Sequence, residues 1–184
     1  MKKQQILFIE GGGDDGYEAD KDLVNSLQEN LGNGYDVHYP EMPSDESAPD
    51  FGWLSQIDQE ISEAENDVIL VGHSLGASML LRYLSENIVN KTIQGIFLIS
   101  TPFWTGDEAW KAGLKLKSDF ADRLPDKVPL FFYHSQDDEV VPFSHLDQYK
   151  QKISHATFRE IQSGGHQLNN DLPWIADDIK SLNG

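Results

Sequence analysis

At 184 residues, with 39% hydrophobic side chains, the chain is long enough for one domain with a sizeable core and too apolar for a disordered polymer. Acids outnumber bases 31 to 14, a formal net charge of −17. That excess argues against nucleic acid and anionic membrane as partners, since both demand basic patches. No cysteine occurs, which excludes disulfides, thiolate catalysis and cysteine-held zinc. Met1-Lys2-Lys3-Gln4-Gln5 begins like a signal peptide, but the apolar stretch 6–9 is too short for one. No run approaches the roughly 20 apolar residues of a membrane span, and the expected location is cytoplasmic.

A first strand is predicted over 6–9. The glycine loop Glu10-Gly11-Gly12-Gly13-Asp14-Asp15-Gly16 follows, then a helix over about 19–31 whose Leu23, Leu27 and Leu31 share one face. Gly32-Asn33-Gly34 ends that helix, and 35–39 reads as a second strand stopped by Pro40. A loop rich in Pro, Ser and acids covers 40–50, and a helix is predicted over about 51–63. The apolar run 67–71 predicts a buried third strand, with a helix from 77 to about 87. Further strands are predicted over 96–100, 130–134 and 157–161, with a closing helix over 174–182. Strands alternating with helices predict one α/β domain over 1–184: a mainly parallel sheet of about six strands, flanked by helices on both faces. Ligands of such sheets bind beyond the carboxyl ends of the strands.

The segment 101–128 is the longest between predicted strands. Phe103, Trp104, Trp110 and Leu114 give it apolar surface for a small cap or pocket wall, with Phe103 and Trp104 as candidate substrate contacts. An ordinary helix packed on the sheet is an equal reading, because Leu116, Phe120 and Leu124 repeat at helical spacing. Ser144-His145-Leu146-Asp147 resembles the capping box of a further helix start.

Between the third strand and its helix stands Gly72-His73-Ser74-Leu75-Gly76. A serine on a tight strand-to-helix turn needs small residues two places either side, and glycine supplies them. Chance produces this pattern in about one chain of this length in twenty, and Ser74 could instead cap its helix. The rest of the chain decides. A serine hydroxyl needs a base, and the base an orienting acid. After the strand 130–134 comes Ser135-Gln136-Asp137-Asp138-Glu139-Val140-Val141-Pro142, and after 157–161 comes Gln162-Ser163-Gly164-Gly165-His166. A metal role for the histidines finds no ligand spacing to support it. The glycine loop matches neither phosphate-binding fingerprint, and aspartates at its end would repel phosphate.

In these residues the chain resembles the α/β-hydrolase superfamily, in particular its small single-domain serine hydrolases and esterases. The retinoblastoma-binding-protein type is a candidate closer relative. The family's acid loop resembles His-Gly-x-x-Asp-x-x-Val-Pro, which falls on His134 to Pro142 with Ser135 in place of the glycine and selects Asp138 over Asp137. The Gly-Gly-His ending falls on His166. The resemblance implies a minimal α/β-hydrolase fold and a Ser74–His166–Asp138 triad that cleaves a small-molecule carboxylic ester, or a thioester or amide, with no cofactor. The backbone N–H groups of Leu75 and of Gly12, or its neighbours Gly11 and Gly13, are the expected oxyanion donors. Many members have His-Gly where this chain has Glu10-Gly11; Glu10, Asp14 and Asp15 are expected to face solvent, as loop acids usually do, the alternative being that they favour a substrate carrying a cation. Two other readings remain: a protein-binding module on a hydrolase scaffold, and an acyltransferase.

Overall fold

Strand β1 (Gln4–Ile9) is apolar at every position from Ile6 onward, so both of its faces must be covered. The same holds for most of β3 (Val68–His73), β4 (Ile93–Ile99) and β5 (Leu130–Ser135). Strands β2 (Tyr35–His38) and β6 (Thr157–Ile161) are only partly buried and take the edges. The six strands form one parallel sheet in the order β2-β1-β3-β4-β5-β6. The computed structural model describes residues 2–13, 15–105 and 111–182.

Period-two alternation divides the core. Ile6, Phe8, Ile69, Val71, Phe97 and Ile99 pack on one face with α2 (Lys21–Leu31) and α7 (Pro173–Ser181). Leu7, Ile9, Leu70, Leu98 and Phe132 pack on the other with α3 (Trp53–Glu63), α4 (Leu75–Glu86) and α6 (Ser144–Lys152). The chain leaves β1 for β2 on one side and returns to β3 on the other. The carboxyl ends of β1 and β3 therefore flank the switch point at which parallel sheets hold ligands. The glycine loop follows the first of these strands and Ser74 the second.

Several elements differ from expectation. The helix predicted over 19–31 is found as α2, starting two residues later, and an extra single turn, α1 (Gly16–Ala19), precedes it, with the buried Asp20 between the two. Strand β3 continues two residues further than predicted, since His73 still pairs with Ile99 of β4, and α4 starts immediately after Ser74. A helix does begin at Ser144, but Phe143 occupies its N-cap and no side chain caps it. The helical spacing of Leu116, Phe120 and Leu124 yields one turn only, α5 (Phe120–Arg123). Leu124 precedes Pro125, which disfavours helix, and is extended at ψ 151. All three side chains are nevertheless buried in the core. Trp110 lies outside the described residues. No helix among the described residues is long and apolar enough to cross a membrane.

The largest ring cluster sits under α6, where fully buried Phe132 meets Tyr149 at 4.9 Å and Phe158 at 5.1 Å. Phe132→Ala should cost about 3–5 kcal/mol of unfolding free energy in urea titration, the range for a truncated core phenylalanine. A loss below ~1 kcal/mol would contradict this packing.

Candidate active site

The turn from β3 to α4 leaves no room for side chains at its two glycines. A Cβ on Gly76 would lie 2.3 Å from the Glu10 carbonyl oxygen, and one on Gly72 would lie 2.8 Å from the Ala77 backbone. Between them Ser74 adopts φ 49 and ψ −118, a strained conformation worth of order 1–3 kcal/mol for a residue with a Cβ. Its N–H donates to the Ile99 carbonyl at 2.8 Å. Ser74 occupies the N-cap position of α4, yet its hydroxyl makes no capping bond. The cap reading therefore fails on geometry.

Asp138 and His166 are brought together from the ends of β5 and β6. The side chain of Asp138 is fully buried, and its two carboxylate oxygens lie 3.1 and 3.0 Å from His166 Nδ1. Oδ1 also accepts the N–H groups of Val140 at 2.9 Å and Val141 at 2.8 Å. His134 Nε2 stands 3.3 Å from Oδ2. Burial alone would push the Asp138 carboxyl up. The bonds from His134, His166, Val141 and Val140 outweigh it and hold the group well below the usual carboxylate range. Because Nδ1 of His166 must donate to this carboxylate, Nε2 is the basic ring nitrogen.

Asp137 does different work. It accepts the N–H groups of Gly164 and Gly165, each at 2.9 Å, and the Ser135 hydroxyl. Glu139 accepts the His166 N–H at 3.2 Å. Three consecutive acids thus grip the histidine loop at three points, and Ser135, the departure from the family glycine, holds one of them.

The glycine loop meets the turn from β3 to α4 in a closed arrangement. Leu75 N–H donates to the Gly11 carbonyl at 3.2 Å, and Gly11 N–H donates to Asp20 Oδ2 at 2.8 Å. Both the Leu75 and the Gly11 N–H groups therefore have partners in this conformation. Gly12, at φ 77, has an N–H without a partner among the described residues, and Gly13 follows at φ 94.

Residues 21–172 match a family described as serine hydrolase. The chain belongs to the serine hydrolase family. YdeN of Bacillus subtilis (strain 168), named as a hydrolase, is 29% identical over 140 residues, 70% of each protein. The crystal structure of the ydeN gene product is similar at TM-score 0.72 and 23% identity, over 99% of both chains. CarC, a serine hydrolase involved in carbazole degradation, gives a TM-score of 0.77 at 15% identity over 99% of this chain and 91% of that one. Est1E from Butyrivibrio proteoclasticus gives 0.73 at 17% identity over 99% and 87%. The fold is the minimal α/β-hydrolase fold, and the protein is an enzyme of the serine hydrolase type.

Within this hydrolase, Ser74 and His166 line one cavity of about 540 Å³. Met42, Trp53, Leu75, Trp104 and Leu114 form its apolar wall. Trp104 is pinned by a 3.0 Å bond from its indole N–H to Ser78 Oγ. Phe103 is not part of this wall; it packs edge-on against Tyr149 at 5.1 Å and Phe120 at 6.3 Å. Among the described residues no cluster of three or more His, Asp or Glu is arranged to hold a metal ion.

Glu10 overturns the expectation of a solvent-facing acid. It is 4% exposed, lines the cavity, and accepts the Met42 N–H at 2.7 Å. Asp15 is exposed as expected, and Asp14 lies outside the described residues. Burial pushes the Glu10 carboxyl above its ordinary value, against the Met42 bond and with help from Asp20 and Glu41. The folded chain therefore keeps a proton that the unfolded chain releases, so stability falls as pH rises from the ordinary carboxyl range through the raised one. Glu10→Gln keeps the acceptor for Met42 and removes the buried charge. It should melt higher than the parent near about pH 7, with the gap closing as pH drops towards about 4. Equal melting curves at every pH would contradict a charge-burying Glu10.

Proposed function

We propose that this enzyme hydrolyses small carboxylic esters through an acyl-enzyme on Ser74. The observation that carries the reading is a fully buried Asp138 fixing His166 Nδ1 at 3.0 Å, with His166 and an uncapped, strained Ser74 on one cavity. Asp138 is charged, so it orients the imidazole and stabilises the imidazolium that forms. His166 Nε2 takes the Ser74 proton as Oγ attacks the acyl carbon. Collapse of the tetrahedral intermediate breaks the bond to the leaving alcohol, which receives that proton. Water then attacks the acyl-serine with His166 again as base, releasing the acid and restoring the hydroxyl.

The oxyanion donors of this cycle require one rearrangement. The Gly11 carbonyl now occupies the Leu75 N–H. Rotating the Gly11–Gly12 peptide withdraws that carbonyl and turns the Gly12 N–H towards the same point. Glycine at 12 makes the rotation sterically accessible. Each such donor contributes roughly 2.7–4 kcal/mol to the transition state. The apolar wall and the 540 Å³ cavity suit a short acyl chain or small ring.

Steady-state kinetics on nitrophenyl esters of increasing chain length test the reading. The parent should turn over the short esters, and Ser74→Ala should lose at least about 1,000-fold in kcat. Undiminished turnover in Ser74→Ala would overturn it.

A further inference from the structure

Asp20 was not singled out by the sequence, and the triad does not use it. It stands in the break between α1 and α2 with its side chain 1% exposed. Oδ2 accepts two hydrogen bonds, from Gly11 N–H at 2.8 Å and from His73 Nδ1 at 2.9 Å. Oδ1 accepts Gln167 Nε2 at 3.0 Å. Burial would push this carboxyl up, but the bonds from His73, Gln167 and Gly11 overcome it and hold the group below its ordinary value. Asp20 is therefore a buried carboxylate with three donors.

The other end of His73 is equally committed. Its Nε2 lies 3.0 Å from the backbone carbonyl of His166, which also accepts the Ser100 hydroxyl at 2.9 Å. Both ring nitrogens of His73 thus face acceptors. Against an ionised Asp20, a ring carrying hydrogen on both nitrogens satisfies the two contacts, an imidazolium facing a carboxylate. A neutral ring would set one bare nitrogen lone pair against an oxygen lone pair inside the protein, an uncompensated contact.

Three parts of the site converge on this pair. Gly11 belongs to the loop whose next peptide must rotate to open the oxyanion position. His73 immediately precedes Ser74. The His166 carbonyl belongs to the residue that supplies the base. We infer that Asp20, acting through the His73 imidazolium, is a positioning residue for the reaction at Ser74. It anchors the fixed end of the Gly11–Gly12 peptide and pins the main chain of His166. The inference rests on the proposed Ser74 chemistry for its kinetic consequence, but the charged pair itself is read independently. A base displaced by ~1 Å costs about 100-fold in rate, so a loosened His166 peptide should be felt in kcat.

Two substitutions separate charge from shape. In Asp20→Asn the side-chain oxygen still accepts from Gly11 and His73. Its amide can donate to Gln167 Oε1, a buried acceptor with no partner among the described residues. The variant keeps the packing and removes the charge, so His73 becomes neutral and its Nε2 no longer donates to His166. Asp20→Ala removes the whole cluster. On a turned-over ester, D20N should lower kcat about tenfold and D20A about 100-fold, with KM within about twofold in both. In 15N-labelled histidine spectra the His73 ring should show two N–H groups in the parent and one in D20N. A D20N protein with parental kcat, or a parent His73 ring with a single N–H, would overturn the inference. An active Ser74→Ala protein would instead defeat the proposed nucleophile, and the ring spectra would still decide on the pair.

Discussion

The close approach of α4 to the end of β1 is the contact on which the site is built. At Gly76 the helix backbone comes so near the Ile9 and Glu10 carbonyls that a single added carbon would overlap them. This approach lets the chain turn sharply enough after His73 to leave Ser74 at a positive φ with its hydroxyl uncapped. The strain is affordable because β3 is buried along its length and paired on both sides, by β1 and β4. A loosely held strand would relax the turn, and the serine would become an ordinary helix cap. Core packing and the presentation of Ser74 are thus one problem with one solution.

His166 is held by a different device. The histidine loop has little secondary structure, and its rigidity comes from the acid loop after β5. Asp137 takes two glycine N–H groups, Asp138 takes the ring, and Glu139 takes the main-chain N–H of His166. From the opposite side His73 and Ser100 take the His166 carbonyl. The N–H, Nδ1 and carbonyl of that residue have partners placed by the ends of β5, β3 and β4. The parallel sheet gathers these ends at one edge, so a fold with short loops can still fix one histidine in three dimensions.

Much of this was legible in the sequence for a reason of scale. Strands, helices and the glycine-serine turn are set by neighbours in the chain, and Asp138 and His166 stand at fixed offsets from strand ends. The features that escaped depend on distant partners. Asp20 bonds to His73 and Gln167, 53 and 147 residues away, and nothing near it in sequence distinguishes it from a solvated helix acid. Glu10 was expected outside because loop acids usually are, whereas Met42, 32 residues on, draws it inside. Phe103 and Trp104 are adjacent and equally apolar, yet only the tryptophan lines the cavity, a choice made by Ser78 and Tyr149. The orientation of the Gly11–Gly12 peptide is likewise invisible in a run of glycines.

One serine among several, Ser74, stands apart by its strained backbone and by a cavity shared with a histidine that Asp138 holds. Reaction with a fluorophosphonate, followed by peptide mass spectrometry of the adduct, tests that claim directly. A single phosphonyl group on the peptide carrying Ser74, lost in His166→Ala, is the result predicted. Labelling at another serine, or equal labelling with and without the His166 imidazole, would contradict it.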